Sequence, residues 1–217
     1  MEEDHDVKVI ILNATGPAFC AGADLEYLQQ LQAFSYDENL LDSTKLKELF
    51  LQIYTLKKVV IAQVQGHAVA GGCGLATICD FVFAVPDAKF GYTEVKIGFV
   101  PAIVMVFLLR KIGEGKVKEL LLGGELVPAE DALMLGLVNR IVAKEDLDSE
   151  VIAFAQNLLK SNSSQSMMIT KQLIAQVQSM PLEKALDFAA ETNAKARSSE
   201  DWKKGVNSFL NKQKIDW

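Results

Sequence analysis

An α/β core followed by a helical C-terminal appendage is the fold class the sequence predicts, and two observations predict it. Short apolar, β-branched runs alternate with segments of helical period from Val7 onward, which implies strand–helix crossover units. Near residue 145 the strand signal stops, and the remainder of the chain is helical in period throughout. Residues 1–145 are therefore read as the core and residues 146–217 as the appendage.

Val7 to Leu12 is apolar, bounded by Asn13 and Gly16-Pro17, and reads as a buried strand. Leu25, Leu28 and Leu31 then fall at helical spacing. A polar break over Ser35 to Asn39 precedes a second amphipathic helix carrying Leu46, Leu49, Phe50 and Ile53. Val59 to Val64 is the next strand, and it runs into the small-residue segment Gly66 to Gly74. Leu75 to Cys79 is placed on the following helix and Phe81 to Ala84 on a third strand. From Leu108 the pattern is mostly helical, through Val117, Leu120, Leu121 and then Ala132 to Leu135 after Pro128. Beyond Leu147, apolar positions such as Leu158, Met167, Leu173, Leu186 and Phe209 sit on successive helices.

The chain has 217 residues, half of them hydrophobic and 23% charged, enough to bury a real core. Its acidic start, Met1 to Asp6, carries no apolar leader, and no run approaches a membrane span, so a cytoplasmic protein without membrane partners is expected. A net charge of -6 argues against nucleic acid as a partner, since phosphate binding needs a basic surface. The lysines Lys203, Lys204, Lys212 and Lys214 read first as a solvated helix face and second as a local patch for a small anion. Cys20, Cys73 and Cys79 have neither disulfide-framework nor metal-site spacing; reduced thiols and no metal are expected.

Two segments share one construction of strand, tight small-residue turn and helix start: Phe19 to Asp24, and Ala68 to Gly74. The first N–H groups of a helix lack intrahelical partners and lie at its positive end, so they suit an oxygen carrying negative charge. If adjacent strands bring both turns together, two such donors converge as an oxyanion hole. Either turn alone is read equally well as tight packing. Gly72-Cys73-Gly74 lacks the third small residue of a dinucleotide fingerprint, which argues against a nicotinamide cofactor. Neither G-x-S-x-G nor H-E-x-x-H occurs, and of the two histidines, His5 and His67, the latter reads as a packing residue. Glu94, flanked by apolar residues within Phe90 to Pro101, is the candidate proton carrier, because desolvation would raise its pKa toward that of a general base.

Together, Ala18 to Leu25, Gly66 to Asp80 and Phe90 to Pro101 resemble the crotonase superfamily of enoyl-CoA hydratases and isomerases. Leu122-Gly123-Gly124 through Asn139 and Ser199 to Gly205 extend the resemblance over nearly the whole chain. It implies the ClpP/crotonase fold of repeated β-β-α units, with the helical C-terminus serving assembly into trimers or dimers of trimers. It also implies an acyl-CoA thioester substrate, with coenzyme A as part of that substrate and no other cofactor. Carried over by position, Ala23 and Gly71 become the N–H donors to the thioester oxygen and Glu94 the catalytic carboxylate. Ala21 and Ala23 would lie beside the adenine and Leu25 near the bound chain, with Asp24 and Gly72 in the same binding segments. Phe209 and Lys212 correspond to terminal-helix residues used around coenzyme A, often from a neighbouring subunit.

Two departures stand out. Typical hydratases carry two glutamates, and Gly74 stands where the first would be. Hydration of a 2-enoyl-CoA, including the branched, glutaconyl-type acyl groups whose bacterial hydratases keep only the second glutamate, is the leading expectation. Δ3-Δ2 isomerisation by a single proton-shuttling glutamate, and acyl-CoA binding without turnover, are the alternatives. The second departure is that the family's initial strand, turn and helix have no match ahead of Val7, and a truncated start is expected because a sheet edge would otherwise be left unpaired. Phe99, Val100, Ile103 and Val104 are read either as an apolar acyl pocket or as core.

Overall fold

The computed structural model describes Asp4, residues 6–215 and Trp217; Met1 to Glu3, the start of the acidic stretch, and His5 lie outside the described residues. The chain divides into two compact units. One comprises Ile11–Tyr54 and Val60–Val151, the other Met1–Ile10, Thr55–Val59 and Ile152–Trp217.

The first unit is built on two four-stranded sheets. One has the order β1 (Val9–Leu12), β3 (Val59–Val64), β5 (Phe81–Ala84), β8 (Arg140–Ile141); the other β2 (Ala18–Cys20), β4 (His67–Val69), β6 (Lys89–Gly91), β7 (Val127–Pro128). In the first sheet β3 and β5 run parallel, with Ile61 opposite Phe81 and Val64 opposite Ala84. Both strands are nearly continuous apolar runs because both faces are covered, and Ile61, Ala62, Val64, Val82, Phe83 and Ala84 are fully buried. Each large side chain so buried contributes about 1.5–3 kcal/mol of hydrophobic stabilisation. Side chains extend the ladder where strands end. Asp80 Oδ2 accepts the Val60 N–H at 2.7 Å, and Asn139 Oδ1 accepts the Val82 N–H at 2.7 Å.

The helices of this unit are α1 (Leu25–Leu31), α2 (Tyr36–Thr55), α3 (Gly71–Thr77), α4 (Ala102–Gly123) and α5 (Ala129–Leu135), with α6 (Leu147–Ser161) beginning in it. Two boundaries differ from the sequence reading. The polar stretch 35–39 opens α2 instead of separating it from the preceding helix. Ser35 Oγ accepts the Glu38 N–H at 3.3 Å while Glu38 Oε2 accepts the Ser35 N–H at 2.7 Å, a reciprocal capping box. Helix α3 starts at Gly71, inside the small-residue segment and ahead of Leu75. Helix α4 is interrupted at Gly113, whose φ of 76° takes it out of helical conformation.

The second unit holds the rest of α6 with α7 (Ser164–Val177), α8 (Leu182–Ala196) and α9 (Glu200–Leu210). Its boundary falls within α6, past residue 145, and it is not purely C-terminal. Lys171 donates to the Lys58 carbonyl and Lys58 to the Asp4 carbonyl, each at 2.9 Å, tying two early segments to the helices. Ser163 caps α7 through the Ser166 N–H and also donates to Asp201 at the start of α9. No helix among the described residues is long and apolar enough to cross a membrane.

Candidate active site

Three parallel neighbours in the second sheet place the site. β2 pairs with β4, Cys20 opposite Ala68, and β4 with β6, Val69 opposite Gly91. Parallel strands emerge on the same edge, so the segments that follow them meet there. Those segments are Ala21 to Asp24, Ala70 to Gly72, and Tyr92 to Glu94.

The two small-residue turns are packed against one another. A Cβ placed on Gly22 would lie 3.2 Å from the Ala70 Cβ and 3.8 Å from the Gly71 nitrogen. One placed on Gly72 would lie 2.1 Å from the Cys20 carbonyl oxygen and 2.6 Å from its carbon. Only glycine permits that approach. Gly72→Ala is expected to force the turns apart, costing about 1–3 kcal/mol as overpacking and most of the turnover; thermal melting and a steady-state assay on the same preparation check both.

Ala70 precedes α3 with φ 53° and ψ -128°, a conformation that alanine rarely adopts. Its N–H donates to the Gly91 carbonyl at 2.8 Å, which holds the turn to β6. Gly71 is then the first helical residue, and its N–H has no intrahelical acceptor. Among the described residues, no backbone hydrogen bond takes the N–H of Gly71 or Ala23. Asp24 acts locally, since its Oδ1 accepts the N–H groups of Glu26 at 2.9 Å and Tyr27 at 3.1 Å and so caps α1. Leu25, the first residue of α1, is exposed, and Ala21 lies in the same turn.

Glu94 opens a short 3-10 turn, Glu94–Ile97, closed by Gly98 at φ 73°. It is 8% exposed, and its Oε2 is buried without a hydrogen-bond partner. Burial raises its pKa above the ordinary 4.5, against a smaller lowering by its own backbone N–H. A desolvated carboxylate with a free oxygen, raised toward neutrality, is suited to take and return a proton. Tyr92, fully buried, shares a 2.7 Å hydrogen bond with the Thr77 hydroxyl of α3. Cys73 lies beside them, and burial pushes its thiol up to about 12, so it is no nucleophile.

Gly74 lies on the buried side of α3. A Cβ there would come 2.3 Å from Val104 Cγ1 and 3.1 Å from Phe50 Cε1. The place matched to a first glutamate is thus closed by two core side chains. Of the residues read as pocket or core, Val104 belongs to the core, whereas Phe99 and Val100 are each 63% exposed. The His67 ring accepts the Lys89 N–H at 3.2 Å and helps align β4 with β6. The three cysteines are free thiols, Cys73 and Cys79 buried and Cys20 half-buried.

Phe209 and Lys212 belong to the second unit, at and just beyond the end of α9. Phe209 is 83% exposed and borders a cavity of about 530 Å³ lined also by Ile169, Leu173, Trp202, Val206 and Trp217. Of the nearby lysines, Lys203 pairs with Glu200 at 2.7 Å and Lys204 lies over the Trp217 ring. The hydrogen bond between Tyr92 and Thr77, the backbone conformation of Ala70 and the closure of the Gly74 side by Val104 and Phe50 are not legible in the sequence. A lone tyrosine and a lone threonine in otherwise small or apolar segments are the signal for the two residues of that bond.

Comparison with known proteins identifies the family. The profile of the family described as "Enoyl-CoA hydratase/isomerase" matches residues 1–217. A Thermus thermophilus protein named "Putative enoyl-CoA hydratase" is 43% identical over 213 residues, 98% of this chain and 84% of its own. A crotonyl-CoA hydratase of Syntrophomonas wolfei is 32% identical over 219 residues, 100% of this chain and 83% of its own. The crystal structure of an enoyl-CoA hydratase from Shewanella pealeana matches with a TM-score of 0.91 at 31% identity, covering 100% of this chain and 81% of that one. One from Mycobacterium smegmatis also gives 0.91, at 33% identity, with 100% and 83% covered. The fold is that of these crotonase-type enzymes, and the chain belongs to the enoyl-CoA hydratase/isomerase family of the crotonase superfamily.

Proposed function

We propose that this enzyme adds water across the double bond of a 2-enoyl-CoA, with Glu94 as its only catalytic carboxylate. The observation that carries the reading is the buried, unpartnered Glu94 Oε2 on the sheet edge from which the Gly71 and Ala23 amides also emerge. In this scheme those amides hold the thioester oxygen, and each well-placed donor contributes about 3–4 kcal/mol as enolate charge develops. Ionised Glu94 takes a proton from water as the water oxygen bonds to C3, and the electrons move onto the thioester oxygen. The enolate then collapses as the protonated Glu94 returns that proton to C2, leaving the carboxylate as it began. Coenzyme A enters only as part of the substrate. The hydratase names borne by the relatives support this reading over others.

One observation favours a second reading. With Val104 and Phe50 closing the space beside Gly74, a single carboxylate also suffices to move a proton between C2 and C4, which is isomerisation of a 3-enoyl-CoA. Offering crotonyl-CoA and a 3-enoyl-CoA to the wild-type protein separates the two. Hydration of crotonyl-CoA at a kcat at least tenfold above 3-enoyl isomerisation is the expected result; the reverse ratio supports the isomerase, and turnover of neither sinks both. Branched, glutaconyl-type thioesters in the same assay define the acyl group. The exposed Phe209 and Leu210 support self-association as trimers or hexamers, which molar mass in solution would show.

A further inference from the structure

Among the hydrogen bonds that join helix α3 to the segment carrying Glu94, one lies at each end of the helix. At the start of the helix the Ala70 N–H donates to the Gly91 carbonyl at 2.8 Å. Near its end the Thr77 hydroxyl and the Tyr92 hydroxyl lie 2.7 Å apart. The first link is backbone and present whatever the side chains. The second depends on two side chains from elements distant in sequence, and Tyr92 stands two residues before Glu94.

The surroundings make this second link well defined. Tyr92 is fully buried and Thr77 is 6% exposed, so bulk water has little access to compete for this bond. The Cys73 thiol lies alongside, interacting with Tyr92 and with the backbone of Gly91. Lys111 holds the end of the same helix turn, donating to the Thr77 carbonyl at 2.9 Å and the Cys79 carbonyl at 3.3 Å. Helix α3 is thus fixed at both ends, and Tyr92 is the strut by which the following residues are fixed to it.

From this geometry we infer that the Tyr92–Thr77 hydrogen bond sets the position of the Glu94 carboxylate relative to the Gly71 amide, making Tyr92 and Thr77 positioning residues for the reaction. The inference rests on the proposed roles of Glu94 and Gly71. The oxyanion donor and the proton carrier belong to different segments, and the reaction needs both at one substrate. A shift of about 1 Å between such groups costs up to a hundredfold in rate while ground-state binding is spared.

The test compares Tyr92→Phe, Thr77→Val, the double variant and Thr77→Ser with wild type, in steady-state kinetics on crotonyl-CoA and in amide hydrogen exchange. Each single variant is expected to lower kcat at least tenfold with KM within about twofold of wild type, and the double variant to be no slower than the worse single one, because both remove one interaction. Thr77→Ser keeps the hydroxyl and should stay within threefold of wild type. Exchange in the peptides covering 71–77 and 92–98 should accelerate at least tenfold in Tyr92→Phe. Unchanged kcat in either single variant, a rise in KM alone, or single losses that multiply in the double variant would each overturn the inference. Thr77→Val nearly preserves shape, so it remains informative if Tyr92→Phe does not fold. If wild type turns over neither thioester, the hydratase reading has failed, and exchange decides the strut alone: unchanged rates in 92–98 overturn it.

Discussion

Glu94→Gln is expected to lower kcat by 10²–10⁴-fold while raising the melting temperature at neutral pH. The loss follows from the chemistry: the amide preserves size and shape but neither accepts nor returns a proton, and general acid–base catalysis contributes about that factor. The gain in stability follows from the site. Glu94 is buried with one oxygen unpartnered, and burial is the largest cause of its raised pKa. A carboxyl whose folded pKa exceeds its unfolded one keeps its proton in the native state after the unfolded chain has lost it. Stability then falls as pH rises from the ordinary 4.5 through the raised folded pKa, and the full penalty stands above it. Removing the charge lifts that penalty, so the variant's advantage should be present at neutral pH and vanish below the ordinary carboxylate range. In wild type the acidic limb of kcat/KM should fall above 4.5, since the ionised form starts the reaction. Melting curves and pH–rate profiles of both proteins check this. Equal stability at neutral pH, or turnover within threefold of wild type, would refute the assignment.

How much of this was legible in the sequence depended on element length and on whether meaning was local. Strands β3 and β5 were read to the residue, because continuous apolar runs bounded by polar or small residues leave little choice. Strands β6, β7 and β8 have only two or three residues, too few for any period, and are not legible in the sequence. β6 matters most among them, since it brings the Glu94 segment beside the turn that follows β4. The start of α2 was missed although its signature, Ser35 three residues before Glu38, is a recognisable capping box. In the site, the two small-residue turns and Glu94 could be singled out because their chemistry lies within a few residues. The Tyr92–Thr77 bond could not, since a lone tyrosine and a lone threonine mark the two residues but nothing local pairs them across separate elements.

Gly74 illustrates the same limit, and it carries the second large prediction. As a sequence position it marks a missing glutamate, which suggests that Gly74→Glu would supply a second carboxylate and speed hydration. The structure predicts the opposite: loss of stability by several kcal/mol and no gain in rate. A Cβ at this position meets Val104 Cγ1 at 2.3 Å and Val104 Cβ at 3.0 Å, with Phe50 Cε1 at 3.1 Å on another side. Both neighbours are buried, and a β-branched valine has few rotamers by which to yield. Overpacking alone costs about 1–3 kcal/mol, more than the roughly 1 kcal/mol that replacing a helical glycine returns. An unpaired carboxylate in the same space adds several kcal/mol or takes up a proton, and a protonated acid does not activate water. A fall in melting temperature on the order of 10 °C is expected. Gly74→Ala should show the steric part alone, and Gly74→Ala with Val104→Ala should recover most of it, because the closest atom has then been removed. If Gly74→Glu instead melts like wild type and hydrates crotonyl-CoA faster, the space beside α3 is open to a second acid. If it fails as expected and the paired substitution recovers the fold, Val104 and Phe50 are what commits this site to one carboxylate.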